Sequence, residues 1–135
     1  MITGEYTITA GEKTYSSKNI ITLLGESFFL NRMLNNKLNP IEYIVFGTSR
    51  NTPERDDMGL GNETVRKKAV KKADIENHSI ILTCSCTIEE IEGTSEIGVA
   101  TDDILISHDI YELEEDFINP SVNSVEIKYT LKIGV

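Results

Sequence analysis

The chain has no tryptophan, two cysteines, three prolines and two histidines in 135 residues. Cys84 and Cys86 stand at i, i+2. On a strand they face the same side, but as near covalent neighbours they are poorly placed for a structural disulfide. One such pair also falls short of the ligand set of a structural zinc site, so both read as small apolar-like strand residues. No run approaches the roughly 18 apolar residues of a membrane-spanning helix. The opening MITGEYTITAG lacks the basic start and apolar core of a secretory signal, and the expectation is a soluble protein made in a cytoplasm.

Basic residues are scarce. Thirteen Lys and Arg stand against 22 Asp and Glu, for a formal net charge of -9 and a pI near 4.7. That balance disfavours sequence-independent binding to nucleic acid, which needs cations to neutralise phosphates. It equally disfavours adhesion to an anionic membrane. Acidic excess reads most simply as a solubility device. Catalytic residues are thin on the ground as well. His78 follows Asn77 in an expected turn, and His108 lies between Ser107 and Asp109 in an expected strand. Their spacing suggests no nucleophile and base, and both read as surface or edge histidines. Gly59-x-Gly61 after Asp56-Asp57 does not make a Walker loop. Neither Asp56-Asp57 nor Asp102-Asp103 has the spaced oxygens of a calcium loop. No catalytic residue, cofactor or metal site is expected.

What is present is mostly β pattern in a single domain, 1–135. Alternation over 5–16, with a turn at Ala10-Gly11-Glu12, predicts an N-terminal hairpin within 1–16. Its few large apolar side chains require a neighbour to pack on. One helix is expected over about 22–36, capped by Thr22 and closed by Asn35-Asn36 and Asn39-Pro40. Its apolar residues Leu23, Leu24, Phe28, Leu30, Met33 and Leu34 are expected to dock on the sheet. The stretch Ile41 to Arg66 predicts a buried strand, a loop stiffened by Pro53, and a short helix near 57–64. Asp57 would cap that helix, and Glu63 and Arg66 would pair across a turn. Further strands are expected over 65–75, 79–91, 97–99, 104–111 and 125–133, the last with the cleanest period of two. Loops are expected at 112–116 and 119–121. The sum is a mainly β chain, an antiparallel β-sandwich with the 22–36 helix packed on a sheet or closing one end.

One local feature runs against the acidic whole. Arg66, Lys67, Lys68, Lys71 and Lys72 form a basic stripe. It reads either as a solvated sheet face, with lysine stems over apolar surface, or as a contact for an acidic neighbour such as another copy. With Arg50 and Arg55 in the preceding loop, these seven residues are the candidate partner contacts.

Several pieces then recur in order. Lys18-Asn19-Ile20-Ile21-Thr22 precedes the helix, and Ile44-Val45-Phe46-Gly47-Thr48-Ser49 opens the loop. Thr52-Pro53 and the segment Asp57 to Arg66 follow, then Glu92-Gly93-Thr94-Ser95-Glu96-Ile97-Gly98-Val99, and finally the strand Val125 to Ile133. This layout resembles a group of small β-rich virion proteins and fibre-attachment domains of tailed bacteriophages, over most of the chain from Lys18 onward. Ser49 stands where that group commonly has Gly, and the Glu near Ile97 is shifted. Residues 1–16 lie outside the shared layout and are expected to be a docking element of this chain. The resemblance implies a virion structural role as symmetric copies among other virion proteins, with complementary patches setting orientation. It implies no enzyme activity, no cofactor, and no nucleic-acid or membrane partner. The alternatives are a head-appendage protein, a receptor- or carbohydrate-binding sandwich using Tyr43 or Tyr111, and an enzyme built on His78 or His108.

Overall fold

A computed structural model describes residues 2–34, 37–114, 117 and 122–134. Strands take 51% of the described residues and helices 13%, so the fold is mainly β. The first third contains β1 (Ile2–Ala10), β2 (Lys13–Ile21) and α1 (Leu23–Leu34). Then come β3 (Tyr43–Gly47), β4 (Glu63–Lys68), β5 (Val70–Asp74) and β6 (Ser79–Thr87). A single-turn α2 (Ile88–Ile91), β7 (Glu96–Ala100), β8 (Leu105–Ile110) and β9 (Ser124–Ile133) complete the order. The expected closing residues Asn35 and Asn36, and the loop residues Glu115, Asp116 and Asn119 to Ser121, lie outside the described residues.

The nine strands form one antiparallel sheet in the order β4-β3-β7-β8-β2-β1-β9-β6-β5, nearly closed into a barrel. Two runs of chain make its corners. β2 pairs with β1 from Lys13 to Asn19, and with β8 only at Ile20 and Ile21. It therefore leaves one half of the sheet and enters the other. At the opposite seam, β4 and β5, the two ends of the strand order, are separated by Ala69 alone. Ala69 is buried and donates its N–H to Glu42 O (2.7 Å). The run from Glu63 to Asp74 thus serves one end of the sheet and then the other. The expected stack of two separate sheets becomes one continuous sheet, because the chain changes halves inside strands and not in loops.

The N-terminal hairpin is longer and more central than expected. Gly11 takes φ 63° at the first position of its two-residue turn, which a side chain would resist. β1 is paired on both edges, to β2 and to β9. Its residues Tyr6, Ile8 and Ala10 join Leu82, Cys86, Val125, Ile127, Tyr129 and Leu131 in the core. Burying each large side chain of this set contributes about 1.5–3 kcal/mol. The hairpin is the middle of the sheet and not an appendage. Both cysteines are free, Cys86 buried in the core and Cys84 half-buried against it.

The helix starts where the sequence places it. Thr22 caps it by accepting the Gly25 N–H (2.9 Å), while its own hydroxyl donates to Leu105 O (2.6 Å). A Cβ at Gly25 would overlap Ile106 O, so only glycine lets this first turn lie directly on β8. The expected docking of the whole apolar face does not occur. Gly25 and Phe28 are buried, but Leu30 (66%), Met33 (84%) and Leu34 (89%) are largely exposed. Only the first two turns meet the sheet: Phe28 joins the main core, while the opposite face is covered by loop 48–62, with Leu60 packed against Val45, Ala100 and Leu105.

The predicted short helix near 57–64 is likewise absent. Asp57 accepts from the Glu54 N–H (2.9 Å), closing a turn that precedes it, and Glu63 already begins β4. Glu63 and Arg66 do pair (2.9 Å), on a strand. A bulge opposite Phe46/Gly47 inserts one residue and brings the two side chains to the same face.

Thr22→Val keeps the shape of Thr22 and removes its hydroxyl with the bonds to Leu105 O, Ile106 O and Gly25 N–H. The expected loss is about 2 kcal/mol of unfolding free energy. Urea denaturation followed by circular dichroism checks it, and an unchanged midpoint would remove the cap from the account of α1.

Candidate functional site

The densest polar cluster is built between β7, β8 and loop 48–62. Glu96 opens β7 with no solvent exposure, on the face opposite the core residues Ile97 and Val99. Each of its oxygens has two hydrogen-bond neighbours. Oε1 accepts from Gly61 N–H (2.8 Å) and lies 3.0 Å from His108 Nε2. Oε2 accepts from Ser49 N–H (2.9 Å) and Asn62 N–H (2.8 Å). An uncompensated carboxylate here would cost many kcal/mol, and these donors replace its water shell.

The loop is shaped for that approach. A Cβ on Gly47 would crowd Glu96 Oε2 and the Asn62 carbonyl, and one on Gly61 would overlap Ser49. The loop stem is closed by Thr48 N–H to Asn62 O (3.1 Å) and Ser95 Oγ–H to Ser49 O (2.9 Å). Its far end reaches α1, where Leu23 N–H donates to Arg55 O (2.7 Å) and Arg55 pairs with Glu26.

His108 links the buried acid to the loop. Its Nδ1 lies 2.8 Å from Asp57 Oδ2, while the ring is 4% exposed. Both ring nitrogens thus face carboxylate oxygens. The expectation of a surface or edge histidine is corrected. His108 is buried, because its strand face lies under the loop. Burial alone would raise Asp57, but hydrogen bonds from the Glu54 N–H and His108 outweigh it and hold this carboxyl below its ordinary value.

The acid–histidine–acid set has the composition of a proton relay, yet Glu96 is fully enclosed and its four acceptor positions are taken. What the geometry does is staple the loop to the sheet. The cradle is made by the N–H groups of Gly61, Asn62 and Ser49, without Gly59, and what it holds is the carboxyl group of the chain's own Glu96. His78 sits far from this cluster in sequence and structure, in the turn after β5 with φ 53°.

The seven candidate partner contacts are dispersed and mostly engaged. Arg66 makes two bonds to Glu63, donates to Thr101 O (3.0 Å) and lies 5.1 Å over the Tyr43 ring. Lys67 meets Glu90 (3.0 Å), Lys71 meets Glu42 (3.6 Å), and Arg50 meets Glu112 (4.0 Å). Arg55 is committed to Glu26. Lys68 and Lys72 make no ion pair among the described residues. The sugar-platform candidates are occupied too. Tyr111 is 4% exposed and bonds Thr94, and Arg66 covers a face of Tyr43. Reasoning from sequence missed Glu96, since a glutamate alternating with Ile97 and Val99 looks like an ordinary wet-face residue. No protein-family profile, curated protein or solved structure matches this chain.

Glu96→Gln replaces an acceptor with an amide that must face backbone donors. Its expected cost is about 3–5 kcal/mol, with faster proteolysis within 48–62. Equal unfolding midpoints and equal cleavage for the two proteins would show that the staple does not hold the loop. Because Asp57 is depressed, its contribution is present above its ordinary value of 3.8 and fades as pH falls through the lower folded value. The stability gap between wild type and Asp57→Asn should therefore shrink below about pH 4. A gap constant from neutral to strongly acid pH would contradict this.

Proposed function

We propose that this chain is a structural component of a tailed-phage virion, at a tail, baseplate or tail-fibre attachment position, holding neighbouring subunits together by protein contacts. It is made in the host cytoplasm and incorporated into the particle, without enzyme activity, cofactor, nucleic-acid or membrane partner. The order of sequence features that resembles phage virion proteins supports this reading.

The structural observation that carries it is the division of surface. The most elaborate polar cluster is spent on an internal staple, while large apolar side chains stay exposed at one end of the barrel. Ile75 (79%) and Ile133 (61%) border a groove of about 440 Å³ that Phe29 of α1 also lines. Exposed apolar surface on an acidic chain fits an assembling part better than a free-standing catalyst. The receptor- or sugar-binding alternative gains no such support, since Tyr43 and Tyr111 are already engaged.

Mass spectrometry of density-purified virions from the parent phage tests the role. The chain should copurify at a fixed ratio to the other structural proteins through repeated banding. Its absence from intact particles would end the virion reading.

A further inference from the structure

β5 is the last strand of the order, bonded to β6 on one side and, among the described residues, to no strand on the other. The direction of its free groups follows from the corner. Ala69 points its N–H away from β6, at Glu42 O. The two-residue period of a strand then turns the N–H and C=O of Lys71 and Ala73 the same way. Among the described residues, no backbone bond outside the β6 ladder engages Lys71 or Ala73. An edge of this kind is a template for another strand unless it is guarded. The usual guard is a lysine pointing across it, but Lys71 is drawn aside to Glu42.

The charge pattern selects what can pair there. Lys72 and Asp74 share the outer face, opposite Ile81 and Ser79 of β6. Two copies related by a two-fold axis must pair residues of the same face, so the axis passes through a residue position. An axis at Lys72 or at Lys71 would set two identical lysines against each other. An axis at Ala73 sets Lys72 of each copy opposite Asp74 of the other, twice, around two small side chains. It also makes Ala73 the hydrogen-bonded pair, as its outward N–H and C=O require. The Lys72 and Asp74 positions then fall in the closer, non-bonded pairs, with Cα atoms about 4.5 Å apart. Ile75, in the turn that follows, stays at the margin of the pair, where it lines the groove with Ala73, Ile80, Leu131 and Ile133.

We propose that β5 is closed by a second copy of this chain, as an antiparallel β5–β5 pairing centred on residues 72–74 about a two-fold axis at Ala73. Lys72 and Asp74 exchange ion pairs across the axis, and the two sheets become one. This names a partner surface for the assembly role proposed above and rests on it for its setting in a particle. A chain that was absent from virions yet dimerised through β5 would sink the role alone. A virion chain that stayed monomeric would sink the pairing alone.

Sedimentation equilibrium of the full chain tests it. Wild type should dimerise. Lys72→Glu and Asp74→Lys should each weaken association about a hundredfold, because like charges placed opposite each other cost several kcal/mol. Mixed one to one, the two single variants should recover a heterodimer, as their charges are then complementary. Asp74→Lys also removes an acceptor for Asn77 in the following turn. Ala73→Pro is therefore a second variant, deleting only an N–H that no internal bond uses. It should stay folded by circular dichroism and lose the dimer. A wild-type monomer up to millimolar concentration would overturn the pairing. So would single variants that still dimerise, or a mixture that remains monomeric.

Discussion

A carboxylate with no water around it has to be surrounded by donors, and Glu96 imposes that requirement on half of this molecule. Its four hydrogen-bond neighbours come from three places in the chain: Ser49, the Gly61-Asn62 pair, and His108. None of these can move without leaving a charge unpaired. The loop between β3 and β4 is long and has no helix of its own, yet it is held at its stem by Glu96 and at its tip by Asp57 and His108. Once the loop is fixed, Leu60 covers the outer face of the sheet and Arg55 meets the start of α1. The loop and the helix thus meet at one contact, while Thr22, Gly25 and Phe28 seat the helix on β8 and the core.

The arrangement uses the physics of phosphate loops for an internal purpose. Small residues let backbone N–H groups converge, and converging N–H groups stabilise a negative charge. Here the charge arrives on a side chain from a neighbouring strand. The His108 ring then bridges Glu96 and Asp57, one nitrogen to each, with Glu96 fully buried and Asp57 partly so. Such a network contributes little net stability over an apolar equivalent, but it admits one loop conformation and penalises others. That fits a part whose job is to keep a shape.

Closure of the sheet follows a separate logic. β2 and the β4–β5 run each serve both halves of the barrel, so no loop is needed to bring the seam together. The basic stripe lies on that seam, and its Arg66, Lys67 and Lys71 are drawn to Glu63, Glu90 and Glu42 on either side. Those three charges stitch the corner. What the seam leaves unsatisfied is the far end of β5, where an open backbone edge borders an apolar groove.

By itself, the sequence determined the class of the chain and the position of most of its elements. Alternation marked β1 and β9, and Thr22 marked the start of α1. The capping box Thr87-x-x-Glu90 was also there to be read, and its single helical turn was passed over inside a long β run. These are legible because hydrogen bonds and side-chain periods act over a few residues. Only the tertiary structure decided that one sheet curls nearly shut, that Leu30, Met33 and Leu34 stay in water, and that His108 is buried. It also decided that Glu96, ordinary by its neighbours in sequence, is the acid on which the loop is hung. Those outcomes depend on groups dozens of residues apart competing for the same surface and the same lone pairs. Local pattern carries no information about which of them wins.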